Sequence, residues 1–209
     1  MSIVKEPRVL KIEESYTFSK YFELPFRTKD ILADFGFLFE KTSLILPNYD
    51  KDLEAVNFLK NYIQRNLKIV NSVTETAKRE IIISPILVEA CAEAKAYSDI
   101  EYPIYIDSYL KGTLDYYITG NNAFLVVEAK QSDLDRGFTQ LAVELVALKK
   151  WIKSEVSIIY GAVTTGEDWR FGFLSAKENK IVADTKLYRI PEEIDSLLRI
   201  IIGILTLPS

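Results

Sequence analysis

Hydrophobic residues recur along the chain at two different intervals, and these intervals predict where helices and strands lie. An interval of three or four residues predicts helices over 51–69, 73–82, 84–97, 134–154 and 191–205. Alternation and short apolar runs predict strands over 17–24, 35–46, 109–119, 123–130, 156–164, 169–174 and 180–187. This order of helices and strands predicts an α/β fold with a central mixed β-sheet flanked by helices.

The helix predicted over 84–97 carries two carboxylates on a surface that is otherwise apolar. Ser84 and Pro85 predict its start, because serine caps a helix and proline suits the first helical position. The residues that follow are apolar or small almost all round, so the helix is expected to be buried. Glu89 and Glu93 lie four residues apart and therefore on one face. A carboxylate on a buried helix is a candidate functional group.

A predicted hairpin brings three charged residues to one face of the sheet. Glu128 and Lys130 are two residues apart in a strand, so they point the same way. With Asn121-Asn122 as the loop, Asp115 lies opposite Glu128; with Gly120-Asn121 as the loop, it lies opposite Val126. Opposite residues share a face, so both registers place Asp115 with Glu128 and Lys130.

Composition and charge narrow the chemistry that such a cluster can perform. The chain has 209 residues, 48% of them hydrophobic, which fits a single domain over 1–209 with a sizeable core. It has no histidine and one cysteine, Cys91, which excludes histidine-dependent nucleophilic catalysis, a disulfide and histidine-ligated zinc. Any metal must bind oxygen ligands, which points to Mg²⁺, Mn²⁺ or Ca²⁺. The net charge of −4 argues against general coating of nucleic acid but allows a local basic groove.

The cluster suits a divalent cation. Carboxylates of opposite residues, about 4–5 Å apart, repel each other and fit a hard cation between them. A neighbouring lysine can orient or deprotonate a water molecule, or stabilise negative charge on a phosphoryl group. We therefore expect Asp115 and Glu128 at a metal and Lys130 beside the reacting water.

The two segments that carry these residues resemble a known superfamily. Gly112-Thr113-Leu114-Asp115-Tyr116 followed by Val127-Glu128-Ala129-Lys130 resembles the restriction-endonuclease-like superfamily, whose signature is PD-(D/E)XK. The resemblance covers about 84–175, and it departs from the signature at Leu114, where the family has proline. It implies a restriction-endonuclease-like core over 84–190, with residues 1–70 as an N-terminal β/α elaboration.

The resemblance also implies roles for individual residues. Asp115 and Glu128 would bind Mg²⁺ or Mn²⁺, with a further carboxylate from the preceding helix, Glu89 in preference to Glu93. Lys130 would act on the water, and Gln140 in the following helix would support the substrate or the lysine. The implied activity is metal-dependent hydrolysis of nucleic-acid phosphodiesters, DNA before RNA, and a homodimer stays open.

Targeting signals and alternative functions complete the expectations. The N-terminus has no apolar core of the signal-peptide type, and the apolar run over 197–207 is too short to span a bilayer, so we expect a cytoplasmic protein with no membrane partner. One alternative is a nuclease-fold module that binds nucleic acid or protein without hydrolysis, its charged cluster being structural. Another is an assembly protein that uses the apolar C-terminal helix as an interface.

Overall fold

The fold is known from a computed structural model, which describes residues 9–11, 13–71, 74–121, 123–152 and 156–208. The helices are α1 (Phe18–Glu23), α2 (Thr28–Asp34), α3 (Ala55–Ile69), α4 (Glu75–Lys78), α5 (Ser84–Ala94), α6 (Leu134–Trp151) and α7 (Ile194–Leu205). The strands are β1 (Leu38–Thr42), β2 (Tyr97–Tyr105), β3 (Lys111–Thr119), β4 (Phe124–Ala129), β5 (Ile158–Thr164), β6 (Asp168–Ser175), β7 (Lys180–Asp184) and β8 (Tyr188–Arg189). A π-helical segment, Arg79–Ile83, joins α4 to α5.

One mixed sheet forms the centre of the molecule. Its strand order is β1-β7-β6-β5-β4-β3-β2, and β8 pairs with β6 beside this path. β1 runs parallel to β7 and β4 parallel to β5, whereas the other pairs are antiparallel. Helix α6 connects the parallel strands β4 and β5, as a crossover between parallel neighbours requires. The predicted α/β fold with a central mixed sheet flanked by helices is confirmed.

Each face of the sheet has its own hydrophobic core. On one face, α1 and α2 pack around the long helix α6, which covers β4 and β5. On the other face, α5 packs against α7, and α3 completes the layer. The apolar side of α7 is buried in this second core, including Leu197, Ile201 and Leu205. The C-terminal helix therefore does not present that side as an assembly interface.

The N-terminal third departs most from the predicted elements. Residues 17–24 do not form a strand: α1 lies there, with Phe18 and Tyr21 buried at a helical spacing of three. Of the strand predicted over 35–46, only β1 is extended, and the unpredicted helix α2 precedes it. β1 pairs with β7, so the N-terminal region supplies an edge strand of the central sheet.

The α-helix α5 begins at Ser84 as predicted, but Ser84 does not cap a free helix end, because the chain is already helical there. The segment from α4 through α5 is continuous, and the Ser84 N–H bonds to the Arg79 carbonyl in a π-helical turn. Pro85 has no N–H to donate, and the wider turn precedes it. The helix ends at Ala94, before Lys95 in a left-handed conformation, rather than at residue 97.

The remaining predicted elements agree with the structure apart from their ends. The helices over 51–69, 134–154 and 191–205 correspond to α3, α6 and α7, and the hairpin strands to β3 and β4. Strands β2 and β8 were not predicted; β2 is an edge strand whose side chains are mostly exposed. The predicted ends at 73 and 154 lie outside the described residues.

None of the described helices combines the length and the apolar content needed to cross a membrane.

Close packing between α6 and the sheet predicts a sensitive position in β6. A Cβ atom on Gly172 would lie 2.5 Å from Phe138 Cζ and 2.5 Å from the Val182 carbonyl oxygen. Neither neighbour can move without disturbing the core. We expect Gly172→Ala to lower the free energy of unfolding by about 1–3 kcal/mol, measured by chemical denaturation. Ser175→Ala, at the end of the same strand, should change it by less than about 0.5 kcal/mol. Equal denaturation midpoints for the two variants would contradict this packing.

Candidate active site

The β3–β4 hairpin places Asp115 and Glu128 on neighbouring strands at the same level. Tyr116 pairs with Val127, so the next position along pairs Asp115 with Glu128. The Gly120 N–H donates to the Ala123 carbonyl at 2.9 Å, which closes the hairpin in the first of the two predicted registers. Of the loop itself, Asn122 lies outside the described residues.

Glu128 lies on the face of β4 that is covered by α6. Its neighbours Val127 and Ala129 face the core formed by α5 and α7, whereas Val126 faces α6. Alternation along the strand therefore directs Glu128 at α6, and only 1% of the residue is exposed. A carboxylate in this position needs partners from within the protein.

Three polar side chains surround the Glu128 carboxylate. Lys130 Nζ lies 2.5 Å from Glu128 Oε1, and Gln140 Nε2 donates to the same oxygen at 2.6 Å. Gln140 Nε2 also donates to Glu144 Oε1 at 2.8 Å, so its amide links the two carboxyl groups. Glu128 Oε2 is buried and has no hydrogen-bond partner among the described residues. A side-chain hydrogen bond with Glu128 also acts on the Glu144 carboxyl, so the Glu128 carboxylate is enclosed by protein groups.

Asp115 is held from two sides. Its Oδ2 accepts a hydrogen bond from the Ala129 backbone N–H at 2.8 Å, which fixes the carboxylate beside the end of β4. Its Oδ1 lies 3.7 Å from Arg79 Nη1, and Arg79 also pairs with Glu101 at 3.6 Å. The side chain of Asp115 is 19% exposed, so it is more accessible than Glu128.

Lys130 follows β4 directly and bends back over the site. Its N–H donates to the Thr164 carbonyl at 2.8 Å, which anchors the residue to β5. Its side chain runs past Gly137, where an added Cβ would meet Lys130 Cγ at 3.0 Å. The ammonium lies 5.4 Å from the centre of the Phe22 ring. Glycine at 137 therefore leaves the room that Lys130 needs to reach Glu128.

The buried charges shift one another's protonation. Burial, followed by the charges of Glu144 and Asp115, raises the pKa of Glu128 well above its ordinary value. Burial also raises the pKa of Glu144, to about 7. Burial alone lowers the pKa of Lys130, but the attraction of Glu128 and its neighbours outweighs this and the pKa rises. Lys130 is therefore an ammonium, and Glu128 and Glu144 compete for protons.

A fourth carboxylate, at the start of α4, lies near the cluster. Burial raises the pKa of Glu75, and the charges of Lys130, Asp115 and Arg79 act on it as well. Glu75 is half-buried, so it lies at the edge of the cluster rather than inside it. Glu75 belongs to α4, the helical segment before α5, whereas the sequence predicted a carboxylate from α5 itself.

Glu89 and Glu93, predicted as metal ligands with Asp115 and Glu128, lie outside the cluster, so that prediction is wrong for this structure. Both line a cavity of about 300 Å³ together with Asp52 and Leu198. Glu93 accepts a hydrogen bond from the Tyr49 hydroxyl at 2.6 Å. The face of α5 that carries them is directed at α7 and the segment before α3, because Ile86, Leu87 and Ala90 occupy the face toward the sheet.

Of the predicted site residues, the structure brings together Asp115, Glu128, Lys130 and Gln140. Sequence reasoning missed Glu144, Glu75 and Arg79 as members of the cluster. Glu144 carried a signal, since it follows Gln140 by one helical turn on the same face. Glu75 and Arg79 carried none that distinguishes them from a solvated helix face.

The donor chemistry fits Mg²⁺ better than a transition metal. The donors are carboxylate oxygens, and Glu128 Oε2 is buried without a partner among the described residues. Within the described ranges, no three Asp, Glu or Cys side chains converge closely enough to hold a metal ion by themselves. Mg²⁺ commonly binds through one or two carboxylates, with water and substrate phosphates as the other ligands. Asp115 and Glu128 can supply such a pair.

Comparison with known proteins gives no independent indication of function: no family model matches the chain, and no curated protein matches it.

The raised pKa of Glu144 predicts a pH-dependent stability. Between about pH 4.5 and 7, Glu144 holds a proton in the folded protein, whereas in the unfolded chain, with an ordinary glutamate pKa near 4.5, it has lost it. The stabilisation is therefore fully present below pH 4.5 and is lost as pH rises through about 7. We expect Glu144→Gln, which cannot ionise, to flatten the fall of the unfolding free energy between these pH values.

The measurement is urea denaturation at a series of pH values. Glu178→Gln, a surface substitution on a side chain that is 58% exposed, serves as the control and should keep the wild-type slope. A slope in Glu144→Gln as steep as that of the wild type would contradict a proton held at Glu144.

Proposed function

We propose that this protein is a Mg²⁺-dependent nuclease with a restriction-endonuclease-like core, which hydrolyses nucleic-acid phosphodiesters, DNA in the first place. The observation that carries the proposal is the buried Glu128 carboxylate, with Lys130 and Gln140 on one oxygen and Asp115 on the neighbouring strand. The mixed sheet with an Asp-bearing strand, a Glu-x-Lys strand and a following crossover helix also supports this fold assignment.

The energetic cost of the cluster supports a functional role. Three carboxyl groups, Glu128, Glu144 and Asp115, act on one another's charges within a site that excludes most water. Apolar residues in the same positions would remove this repulsion and the desolvation cost. A protein that used the hairpin only as a scaffold would gain little from keeping these groups together, whereas a cation site uses their charge.

Asp115 and Glu128 would hold the cation through their carboxylate oxygens. The cation would supply a Lewis acid that polarises the scissile phosphate and makes a bound water more acidic. Asp115 is oriented for this by the Ala129 N–H, which occupies one of its oxygens. Glu75, at the edge of the cluster, can accept a hydrogen bond from a water molecule there.

Lys130 stabilises the negative charge that develops on the phosphoryl oxygens. Its raised pKa keeps the side chain protonated, which suits charge stabilisation and proton donation rather than base catalysis. The Lys130 side chain is only 14% exposed, which strengthens this electrostatic effect because little water screens the charge. Gln140 acts as a positioning residue, since its amide holds Glu128 and Glu144 in place rather than touching the substrate.

A second candidate function is a nuclease-fold module that binds nucleic acid without cleaving it. Two observations favour it: Glu128 is almost inaccessible, and Arg79 already lies beside Asp115 as a counter-charge. In this case Lys130 and Arg79 would neutralise the carboxylates permanently. Metal binding and cleavage separate the two candidates.

Mg²⁺ should stabilise the folded protein, because the Asp115–Glu128 pair exists only in the folded state. At about 100 times the dissociation constant, a ligand of the folded state adds about 2.7 kcal/mol to stability. We expect a higher melting temperature in Mg²⁺ or Mn²⁺ than in EDTA, and no such shift for Glu128→Gln or Asp115→Asn. Glu178→Gln is the control and should shift like wild type. Equal melting temperatures for wild type with and without these cations would argue for the non-catalytic module.

Removal of the Lys130 ammonium should abolish cleavage without abolishing binding. We expect Lys130→Ala to retain the Mg²⁺-dependent melting shift but to cleave DNA about a hundredfold more slowly or worse, as for other charge-stabilising groups. The assay follows nicking of plasmid DNA and cleavage of single-stranded DNA and RNA in Mg²⁺ and in Mn²⁺.

Lys186→Ala is the matched control for Lys130→Ala. Lys186 also lies over an aromatic ring, 4.2 Å from the centre of Tyr188, and pairs with a glutamate, Glu193, at 3.5 Å. It should cleave at the wild-type rate. If Lys130→Ala cleaves as well as Lys186→Ala, or if the wild-type protein cleaves none of these substrates, the nuclease assignment fails.

A further inference from the structure

A cavity of about 450 Å³ lies on the α6 side of the sheet, apart from the Asp115–Glu128 pair. Its walls come from the α1–α2 connection, β1, the first turns of α6, and β6. We call it the basic cavity, because five of its lining residues are cations and one is a carboxylate, Asp135. The cations are Arg27, Lys29, Lys41, Arg136 and Arg170.

This local excess of positive charge is opposite in sign to the net charge of the protein, which is −4. Arg27 and Arg136 have counter-charges next to the cavity, Asp30 at 2.7 Å and Asp133 at 3.4 Å. Even with these two carboxylates included, positive charges outnumber negative ones around the cavity. Such a concentration of cations in an acidic protein favours an anionic ligand.

Arg170 gives the basic cavity a preorganised binding group. Its side chain is only 9% exposed, and its Nη1 donates to Asp135 Oδ1 at 2.6 Å. Its Nε is buried and has no hydrogen-bond partner among the described residues. A buried guanidinium with an unused donor is costly without a ligand, and its fork matches two oxygens of a phosphate.

Asp135 holds the position that a bound anion would take. The same oxygen that accepts from Arg170 also lies 3.0 Å from Lys41 Nζ. The Asp135 side chain is 74% exposed, so it can turn toward solvent when another anion binds the two cations. Arg170 and Lys41 together form a ready site for one phosphate group.

Aromatic rings line the other side of the basic cavity. Phe26 lines the cavity and is 41% exposed, so its ring is accessible to a ligand there. Phe39 and Phe138 lie behind it, with ring centres 6.1 Å apart. An exposed aromatic side chain next to cations is the combination that binds a base and its phosphate.

The basic cavity lies close to the candidate active site. Glu128 pairs with Val163 and Val163 pairs with Arg170, so the three side chains share one face of adjacent strands. Strands are spaced about 4.8 Å apart, which puts Arg170 on the order of 10 Å from Glu128 across the sheet. In α6, Thr139 lines the cavity while the next residue, Gln140, contacts Glu128. The cavity and the candidate active site are therefore neighbours on the same side of the sheet.

We propose that the basic cavity binds a single nucleotide, with its phosphate on Arg170 and Lys41 and its base against Phe26. The identification of the ligand as nucleic acid rests on the proposed nuclease function, whereas the phosphate site rests on the cavity alone. The nucleotide is either one unit of a polynucleotide strand or a free nucleoside monophosphate. Both have the same chemistry, and the experiment distinguishes them.

The test measures equilibrium binding by isothermal titration calorimetry. EDTA is present so that no metal-dependent cleavage occurs. The probes are thymidine 5′-monophosphate, thymidine, inorganic phosphate, and a hexanucleotide with either a 5′-phosphate or a 5′-hydroxyl end. We expect the monophosphate to bind about tenfold more tightly than inorganic phosphate, because the base adds stacking, and thymidine not to bind measurably.

The variants are chosen to separate a phosphate site from general charge. Lys41→Gln and Arg170→Gln should each weaken binding of the monophosphate about tenfold, as expected for loss of a charged hydrogen bond. Lys180→Gln removes a lysine that pairs with Glu40 and Glu178 outside the cavity, and it should bind like wild type. Asp135→Asn should bind the monophosphate more tightly than wild type, because it removes the carboxylate that competes with the phosphate. If Asp135 had only a structural role, its substitution would not tighten binding.

The outcomes decide among the sources of the ligand. Tighter binding of the 5′-phosphorylated hexanucleotide indicates a strand end, equal binding of both hexanucleotides indicates an internal nucleotide, and binding of the monophosphate alone indicates a free nucleotide. The proposal is overturned if no probe binds, if Lys180→Gln weakens binding as much as Lys41→Gln, or if Asp135→Asn weakens it. Lys41 is at the surface, so its variant remains informative if Arg170→Gln fails to fold.

Failure of this proposal is distinguishable from failure of the nuclease assignment. A protein that binds the monophosphate with the expected effects of Lys41→Gln and Lys180→Gln, but cleaves no nucleic acid, overturns the nuclease assignment alone. A protein that cleaves DNA but binds no nucleotide overturns the cavity proposal alone.

Discussion

The burial of the Glu128 carboxylate against α6 determines which groups must surround it and how the neighbouring carboxyl groups are protonated. A carboxylate that is 1% exposed loses almost all its hydration, and the loss must be offset by partners within the protein. Lys130 supplies an opposite charge and Gln140 a hydrogen bond, both to the same oxygen. Glu144 adds a second buried carboxyl group, whose pKa is raised to about 7 by burial. Protonation of either carboxyl group relieves the repulsion between them.

The architecture produces that burial from simple local rules. The hairpin sets Asp115 beside Glu128, and the parallel pairing of β4 with β5 requires a crossover helix, which is α6. The crossover passes over the end of β4, so Gln140 and Glu144 lie above Glu128. Gly137 allows α6 to approach Lys130 closely. The same crossover brings Asp135 and Thr139 to the basic cavity, so one helix forms a wall of both sites.

The parts of this arrangement that depend on strand parity could be predicted from the sequence, and those that depend on helix packing could not. Alternation in a strand has a fixed period, so Asp115, Glu128 and Lys130 were placed together correctly from their numbers. The helix carboxylate was misplaced because the sequence shows which face of α5 carries Glu89 and Glu93 but not which way that face turns.

The N-terminal errors have a similar origin. In the region of α1, Phe18 and Tyr21 fit a helix, but the neighbouring aromatic residues also suit a strand, and tertiary packing decides between them. The basic cavity could not be predicted from the sequence for another reason. Its cations come from 27–41, α6 and β6, and only the folded sheet brings these segments together. Isolated cations in a sequence with a net charge of −4 give no sign of such a cavity.

The central claim is that Asp115 and Glu128 together bind a divalent cation, and a crystal structure of the protein grown with Mn²⁺ tests it most directly. Mn²⁺ can be located by its anomalous scattering independently of the protein atoms. A cation site formed by this pair predicts an anomalous peak within about 2.5 Å of carboxylate oxygens of both residues. Crystals that contain Mn²⁺ but show no peak there, with Glu128 still bonded to Lys130 and Gln140, would contradict it.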